Sequence, residues 1–324
     1  MRSRKEGQRP SQSSPLIASI DTGSNTIRFL IGFLRNNRIE RVYSDRKITR
    51  LGESIKTTGM IKESRMMESI ECLKGFKEKA IEFGVNKISA VGTSALREAR
   101  NSYEFLEMVK KEAGINIRVI SEEEEAFLTI EGIRSGLEVP QEFIAFDLGG
   151  GSTEFIIGRA GSLDMLSIPM GVLKLSELIK NYPPSAEVIF EISSKIKRAL
   201  LSYGLQNLSF SVKPQILIGT GGTVTTLASI DLSLDKYEPE RIHGHRLSLS
   251  GLKELLKRLS DLTLQQIREL KGIEKGREDI ILTGLLSVIE IMKLFSKETL
   301  TVSDFGILEG IIKYEAHFSS KTGI

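Results

Sequence analysis

The sequence predicts an α/β fold made of two copies of one domain. The first observation is a repeat, because the stretches around residues 21 and 147 share one register, 126 positions apart. Laid together without gaps, they place Asp21 on Asp147, Gly23 on Gly149, Phe29 on Phe155 and Gly32 on Gly158. The second is that each stretch is typical of a strand, a glycine turn and a returning strand. The third is that apolar residues at helical spacing follow each hairpin. This pattern indicates a duplicated domain with two loops that face one ligand.

The first copy carries five predicted strands, 16–20, 27–34, 36–50, 87–91 and 115–120. The second of these is apolar except where Arg28 interrupts it. Apolar residues at helical spacing predict helices over 63–83 and 102–111. Ser121 begins a further helix, where Glu124 would complete a capping box. The copy therefore alternates strands with helices after its opening hairpin.

The second copy repeats the hairpin at 143–158 and continues with strands at 163–168, 215–218 and 300–302. The predicted helices are 171–180, 186–203, 224–230, 250–260, 263–270, 276–295 and 307–318. Pro140 lies in the crossing between the copies and disfavours a continuous helix there. We predict a disordered basic tail over 1–15, a first domain over 16–135 and a second over 136–304. A final helix, 305–324, is expected to pack back on the first domain.

Composition limits the classes of protein that this chain can belong to. The 324 residues are 40% hydrophobic, enough for one or two cores. The net charge is +3, and the first fifteen residues carry all of it, so the remainder has no basic surface typical of nucleic-acid binding. No apolar run approaches the ~20 residues of a membrane span. The single cysteine, Cys72, excludes an internal disulfide and fits a reducing compartment. We expect a soluble, cytoplasmic protein that binds neither membranes nor specific nucleic acids.

The three glycines of the second hairpin are the first candidate site. Without side chains, Gly149, Gly150 and Gly151 let backbone N–H groups converge on an anion. Asp147 and Glu154 flank the turn, and carboxylates beside a bound phosphate require a cation or an activated water between them. A plain hairpin with two solvated acids is the alternative. The recurrence of the pattern at Asp21 favours the site.

Two further strand ends carry candidate phosphate contacts. Residues 219–223, Gly-Thr-Gly-Gly-Thr, join a buried strand to a helix, and helix N-termini bind phosphate. Arg97 lies one turn inside a helix that follows the strand 87–91, where it is well placed for an oxyanion, although a surface position is the alternative. The histidines His243 and His245 could ligate zinc, but a hydrogen-bonding role is expected, since a third ligand is missing.

Four consecutive glutamates, 122–125, open the helix that begins at Ser121. Acidic residues in a first turn complement the helix dipole, which accounts for most of them. Helical geometry aims the four in different directions, so one or two at most face a cleft. Glu125 lies on the less crowded face, next to Ala126. We therefore prefer Glu125 to Glu124 as a functional carboxylate.

Taken together, these motifs resemble the exopolyphosphatase and guanosine pentaphosphate phosphohydrolase family, in order and spacing from about residue 16 to 318. The matching elements are Asp21-Thr22-Gly23-Ser24-Asn25, Gly92-Thr93 with Arg97, Ser121 to Ala126, Asp147 to Glu154, Gly219 to Thr223, and Ser303-Asp304-Phe305-Gly306 with Glu309-Gly310. The resemblance implies the actin-like, sugar-kinase-like architecture, in which two ribonuclease-H-like domains enclose a phosphate cleft. It also implies hydrolysis of a terminal phosphoanhydride with magnesium (Mg2+), and a homodimer.

The resemblance also implies a role for each matching residue. Glu125 and Glu154 would orient and deprotonate the attacking water, and Asp147 would help to hold the metal. The phosphates would be bound by Ser24, Asn25, Arg97, Gly149, Gly150, Gly151, Ser152, Gly219, Thr220, Gly221, Gly222 and Thr223. Such a set is chemically sufficient, because phosphoryl transfer needs mainly positioning and charge neutralisation.

Two departures from the family bear on the substrate. The residues between Ser121 and Glu125 are acidic where the family often has glycine or a polar residue, which disfavours long polyphosphate. No His-Asp dipeptide, a mark of the extra helical domain of long members, occurs in the sequence. We therefore expect action on short polyphosphate chains or on nucleotides rather than processive hydrolysis of long chains. A kinase, or a nucleotide-dependent sensor on the same scaffold, is the alternative.

Overall fold

A computed structural model of the chain describes residues 15–85, 87–159, 161–205 and 214–322, with side chains as far as residue 318. The predicted tail, apart from Pro15, lies outside the described residues. Within them, no helix has the length and apolar character needed to cross a membrane.

The first sheet has five strands in the order β3–β2–β1–β4–β5. They are β1 (Ile17–Thr22), β2 (Thr26–Arg35), β3 (Arg38–Ile48), β4 (Lys87–Gly92) and β5 (Ile117–Val119). Strands β1, β2 and β3 form an antiparallel meander, whereas β4 and β5 run parallel to β1. All six residues of β1 are buried, because β1 lies between β2 and β4 and both faces of the sheet are covered.

The second sheet repeats this topology and adds one edge strand, in the order β10–β11–β9–β6–β7–β8. Its strands are β6 (Phe143–Leu148), β7 (Thr153–Arg159), β8 (Ser162–Ile168), β9 (Ile216–Thr220), β10 (Arg246–Ser248) and β11 (Thr299–Val302). The hairpin registers also match, since Asp21 lies opposite Arg28 and Asp147 lies opposite Glu154. The repeated sheet confirms the predicted α/β fold of two similar halves.

Thirteen helices surround the two sheets in the described part of the chain. The first five are α1 (Ile55–Thr58), α2 (Glu63–Glu82), α3 (Ser94–Glu98), α4 (Ser102–Glu112) and α5 (Glu122–Arg134). The others are α6 (Val172–Ser176), α7 (Ala186–Ser202), α8 (Gly222–Asp231), α9 (Pro239–Ile242), α10 (Leu249–Ser260), α11 (Leu264–Arg268), α12 (Ile281–Leu294) and α13 (Ile307–Thr322). Each half packs its helices around its own apolar core.

Three helices are shorter than predicted, and one of them, expected over 263–270, covers only Leu264–Arg268. The helix expected over 276–295 begins at Ile281. Gly276 has a φ of +85°, and its N–H donates a hydrogen bond to the Glu278 carboxylate (2.7 Å), so these residues form a loop instead of a helical turn. The helix expected over 171–180 covers only Val172–Ser176. The correction over 276–295 matters for the site, since the loop that replaces the first turn carries Arg277.

Helix α13 follows the last strand of the second sheet but packs against β1, β2 and α5 of the first half. Two glycines make the contact with α5 very close. A side chain at Gly132 would overlap the carbonyl oxygen of Gly306, and one at Gly310 would overlap that of Leu128. The two helices therefore touch through their backbones, and α5, which carries Glu125, is fixed against the C-terminal helix.

Candidate active site

A cavity of about 80 Å³ lies where the two hairpin turns meet the start of α8. Twelve predicted site residues line it: Ser24, Asn25, Glu125, Asp147, Gly149, Gly150, Gly151, Ser152, Glu154, Gly221, Gly222 and Thr223. Arg97, Gly219 and Thr220 are not among the lining residues. Thr220 instead donates a hydrogen bond from its hydroxyl to the carbonyl of Phe305 (3.2 Å), and Gly219 lies inside β9.

The turn at Gly149–Gly151 is anchored from behind by the start of α6. The carbonyl oxygens of Gly149 and Gly150 accept hydrogen bonds from the N–H groups of Val172 and Leu173, both at 3.1 Å. In a trans peptide the N–H points opposite to the C=O. The N–H groups of Gly150 and Gly151 therefore point away from α6, which is the donor arrangement expected of an anion-binding turn.

Glu125 and Glu154 bring one carboxylate from each half to the cavity. Glu154 is only 4% exposed, and its burial, together with the charge of Glu125, holds its pKa well above the usual range. Burial raises the pKa of Glu125 to about 7, although Arg97 opposes the shift. A carboxylate with a pKa near neutrality can accept a proton from water at physiological pH. The pair thus has the properties of a general base.

Arg97, predicted as a phosphate contact, is engaged by Glu125 in this structure. One guanidinium nitrogen lies 2.8 Å from the Glu125 carboxylate and 3.0 Å from the carbonyl oxygen of Ile120. The neighbouring Glu124 instead pairs with Arg118 at the surface. The structure therefore places Glu125, and not Glu124, at the cavity.

Arg28 is a cavity residue to which the sequence assigned no role. Its guanidinium contacts the carboxylate of Asp21 at 2.7 to 2.8 Å and lies 3.9 Å from that of Asp147. Burial lowers the pKa of Arg28, but the two carboxylates outweigh this effect and hold the pKa above its usual value. The available signal was a charged residue in the middle of an apolar strand.

Asp147 fits the predicted role of a cation ligand. It lies opposite Glu154, and burial raises its pKa, so an added positive charge would stabilise the ionised form. The second oxygen of Asp21, Oδ1, is buried in the same cavity without a hydrogen-bond partner. Among the described residues, no group of three or more His, Cys, Asp or Glu could hold a metal. Magnesium needs no such cage, because it commonly binds one or two carboxylates together with substrate phosphates and water.

The turn before α8 closes directly on Asp147. Gly221 has a φ of +88°, which side chains rarely tolerate, and a Cβ there would overlap the Asp147 carboxylate. Gly222 and Thr223 then begin α8 and line the cavity, so the positive end of this helix faces the cavity. Glycine at 221 is therefore required by both conformation and contact.

Arg277 is a second cavity residue that the sequence did not reveal, because it was assigned to a helix. It is 4% exposed, contacts Gly222 and pairs with Glu274. Burial lowers its pKa. The first half holds this loop through two ion pairs, from Arg46 to Glu274 (2.8 Å) and from Arg50 to Asp279 (3.0 Å).

The two histidines weighed as zinc ligands make hydrogen bonds in the structure. His245 contacts the Asp231 carboxylate at 2.7 Å, and Nδ1 of His243 accepts a hydrogen bond from the N–H of Asp304 at 3.2 Å. Their arrangement supports the hydrogen-bonding interpretation.

The duplicated fold and a cavity that combines glycine turns with buried carboxylates define an actin-like phosphohydrolase. The chain belongs to the Ppx/GppA phosphatase family, whose model matches residues 31–317. This confirms the resemblance found in the sequence.

Curated relatives and solved structures agree with this assignment. The chain is 31% identical over 314 residues to the bifunctional 3-dehydroquinate synthase/phosphatase of Fusobacterium nucleatum, covering 92% of this chain but only 46% of that protein. It is 28% identical over 310 residues to exopolyphosphatase 2 of Mycobacterium tuberculosis, covering 91% and 97%. The Aquifex aeolicus member of the family superposes with a TM-score of 0.78 at 31% identity, covering 94% and 98%. An exopolyphosphatase from Cytophaga hutchinsonii superposes with a TM-score of 0.83 at 28% sequence identity. The match covers 95% of this chain and 98% of that chain.

Proposed function

We propose that this protein releases terminal orthophosphate from inorganic polyphosphate by attack of a water molecule that Glu125 and Glu154 activate. The observation that carries the proposal is this carboxylate pair, buried beside the glycine turn of the second hairpin. The similarity to proteins named exopolyphosphatases supports the choice of substrate. A cytoplasmic location and a homodimer stay predictions from the sequence.

Different residues of the site bind the phosphate and activate the water. The N–H groups of Gly150 and Gly151 and the first turn of α8 bind the oxygens of the terminal phosphate. The carboxylate pair takes a proton from the attacking water as its oxygen bonds to phosphorus. The bridging P–O bond breaks, and its electron pair stays on the departing chain. Arg277, buried beside Gly222, adds a positive charge at this end of the cavity.

Magnesium is part of the proposal. Asp147, together with the unpaired Oδ1 of Asp21, would hold the ion. When bound, it would supply charge neutralisation to the phosphate oxygens. The neighbouring Arg28 contacts the other oxygen of Asp21, Oδ2, so Oδ1 stays open to a cation.

Guanosine pentaphosphate is a second candidate substrate, favoured by a specific cavity. A space of about 240 Å³ adjoins the site and shares Arg28, Gly221, Gly222 and Arg277 with it. Tyr237 lines this space, and the guanidinium of Arg46 lies 4.2 Å from the centre of its ring. An aromatic ring beside a cation is a suitable surface for a nucleoside.

The test is the release of orthophosphate by the purified chain from tripolyphosphate, longer polyphosphates, guanosine pentaphosphate and ATP, with magnesium and with a chelator. We expect release from polyphosphate that depends on magnesium and is abolished in Glu125→Gln. Release that persists with a chelator would remove the metal from the proposal. No release from any substrate would favour the sensor, and phosphate transfer to an acceptor other than water would favour the kinase.

A further inference from the structure

A cavity separate from the catalytic one lies within the second half of the molecule. It has a volume of about 470 Å³ and is bounded by α6, its flanking residues and one face of α7. This volume is in the usual range for small-molecule sites. Among the described residues, none lines both this cavity and the catalytic one. Most of its lining side chains are apolar: Pro169, Met170, Leu175, Leu178 and Ala199.

The remaining side chains of the lining are mostly lysines. Lys174, Lys180 and Lys195 face one acid, Glu177, which is exposed. Within the part of the chain that the structure describes, neither Lys174 nor Lys180 forms an ion pair. Lys195 pairs with Glu191 on the same helix at 3.0 Å, but such a solvent-exposed pair is weak. The cavity therefore combines an apolar surface with positive charge that is available to a ligand.

This combination of side chains selects a class of ligand. An inorganic phosphate would gain nothing from the apolar lining, because hydrophobic stabilisation requires apolar surface on both partners. A neutral apolar molecule would leave the ammonium groups without a partner. A small amphipathic anion, with an apolar body and one charged head such as a carboxylate, satisfies both parts of the lining.

One wall of this cavity also supports the glycine turn of the catalytic cavity. Gly171 lines the cavity, and a side chain at this position would overlap the carbonyl oxygen of Gly150. Met170 also lines it, and its carbonyl oxygen accepts a hydrogen bond from the hydroxyl of Thr153 (2.5 Å), which follows the turn. A ligand in the cavity would therefore contact the segment that holds the turn from behind.

We propose that this cavity is an effector site for small amphipathic anions. The lysines bind the charged head, the apolar lining takes the body, and the bound ligand holds the wall of the cavity against the glycine turn. Because a restrained wall keeps the N–H groups of the turn in place for phosphate, the ligand lowers the KM for polyphosphate. The binding of the ligand is independent of the proposed function, whereas its effect on KM rests on that function.

The first test measures binding to the whole chain by calorimetry. The probes are hexanoate, octanoate and decanoate, with octanol as the neutral match and inorganic phosphate as a head without a body. Each added methylene should lower Kd about three- to fourfold while the cavity has room for it. In Lys180→Met with Lys195→Met, the Kd of octanoate should rise roughly three- to tenfold and that of octanol should stay unchanged.

A substitution that fills the cavity tests its location. Ala199 lies on the face of α7 that lines the cavity, so Ala199→Trp should abolish octanoate binding. Arg198→Trp is the matched control, because the neighbouring Arg198 is exposed and does not line the cavity. The melting temperature of both variants, measured without ligand, shows whether they fold.

The second test adds octanoate to the assay of orthophosphate release from tripolyphosphate. Saturating octanoate should lower the KM of the wild type about fivefold or more and leave that of Ala199→Trp unchanged. Linkage requires the reverse effect of the same size, so saturating tripolyphosphate should tighten octanoate binding to the inactive Glu125→Gln.

The outcomes separate the site, its regulatory role and the proposed function. A Kd that does not change with chain length, or that stays unchanged in a folded Ala199→Trp, would overturn the site. Inorganic phosphate that binds as tightly as octanoate would overturn the class of ligand. Normal octanoate binding with an unchanged KM would overturn the regulatory role and leave the proposed function standing. If the chain releases no orthophosphate, the proposed function fails, and the binding series still decides whether the site exists.

Discussion

Replacing Arg97 with alanine is expected to move the acidic limb of the pH–rate profile to higher pH. The guanidinium lies 2.8 Å from the Glu125 carboxylate, and the side chains of the two residues are 18% and 14% exposed. A cation in this position favours the ionised carboxylate, so its removal makes the carboxylate hold its proton more tightly. Because the base must be ionised to accept a proton, the rate is lost as pH falls through this pKa.

The size of the shift follows from the contact. An opposite charge at this range lowers a carboxyl pKa by roughly 1–3 units, and solvent screens this buried pair little. Without Arg97, the pKa of Glu125 would rise from about 7 to roughly 8–10. The ionised fraction at pH 7 would fall from about a half to between about a tenth and a thousandth. The rate at pH 7 should fall by roughly five- to five-hundredfold and recover as pH is raised.

The assay is kcat/KM for orthophosphate release, measured from about pH 5 to about pH 10. Arg118→Ala is the matched control, since it removes the partner of the surface residue Glu124 and should leave the profile unchanged. Arg97→Lys keeps a positive charge at this position, so its pH–rate profile should lie between those of Arg97→Ala and the wild type. A variant with the wild-type midpoint and a KM raised equally at every pH would refute the reasoning and return Arg97 to the phosphate contact predicted from sequence.

Three further outcomes are expected. Glu125→Gln should lower kcat by on the order of a hundredfold or more without unfolding the protein, as for a positioned general base; wild-type turnover would move the role to another carboxylate. Gly221→Ala should lower the melting temperature and the activity more than Gly161→Ala. Both glycines have positive φ, but only at position 221 would the new methyl group overlap a side chain, that of Asp147. Equal losses in the two variants would mean that backbone strain alone is responsible. Arg50→Asp and Asp279→Arg should each raise KM by loosening the loop at the cavity, and the double exchange should restore it; additive losses would contradict this coupling.

The sequence predicted the features that depend on local pattern. The duplicated hairpins were visible because identical residues recur in one register, and Glu125 could be separated from Glu124 because helical geometry aims neighbours differently. The capping of α5 was predicted in part. Ser121 accepts the hydrogen bond from the N–H of Glu124, but the Glu124 carboxylate turns to Arg118 instead of completing the box.

Features that depend on distant contacts could not be predicted. The partner of Arg97 lies 28 positions away on another helix, so its local context suggested only a free cation near a strand end. Arg277 lies in a charged stretch just before the apolar pattern of α12, and the glycine with positive φ that precedes it was not recognised as a helix stop. Both cases required the packing of one segment against another.

The matching hairpin registers show how the duplicated halves have diverged. Position 28 of the first copy corresponds to position 154 of the second, yet one holds arginine and the other glutamate, each directly across from an aspartate. In the first copy Arg28 binds Asp21 and closes that carboxylate into a local pair. In the second, Glu154 lies beside Asp147, and the two acids depend on a positive charge that comes from outside their own hairpin. A single difference in charge thus gives the first hairpin a cation beside its aspartate and the second a pair of acids, and both hairpins line the cavity.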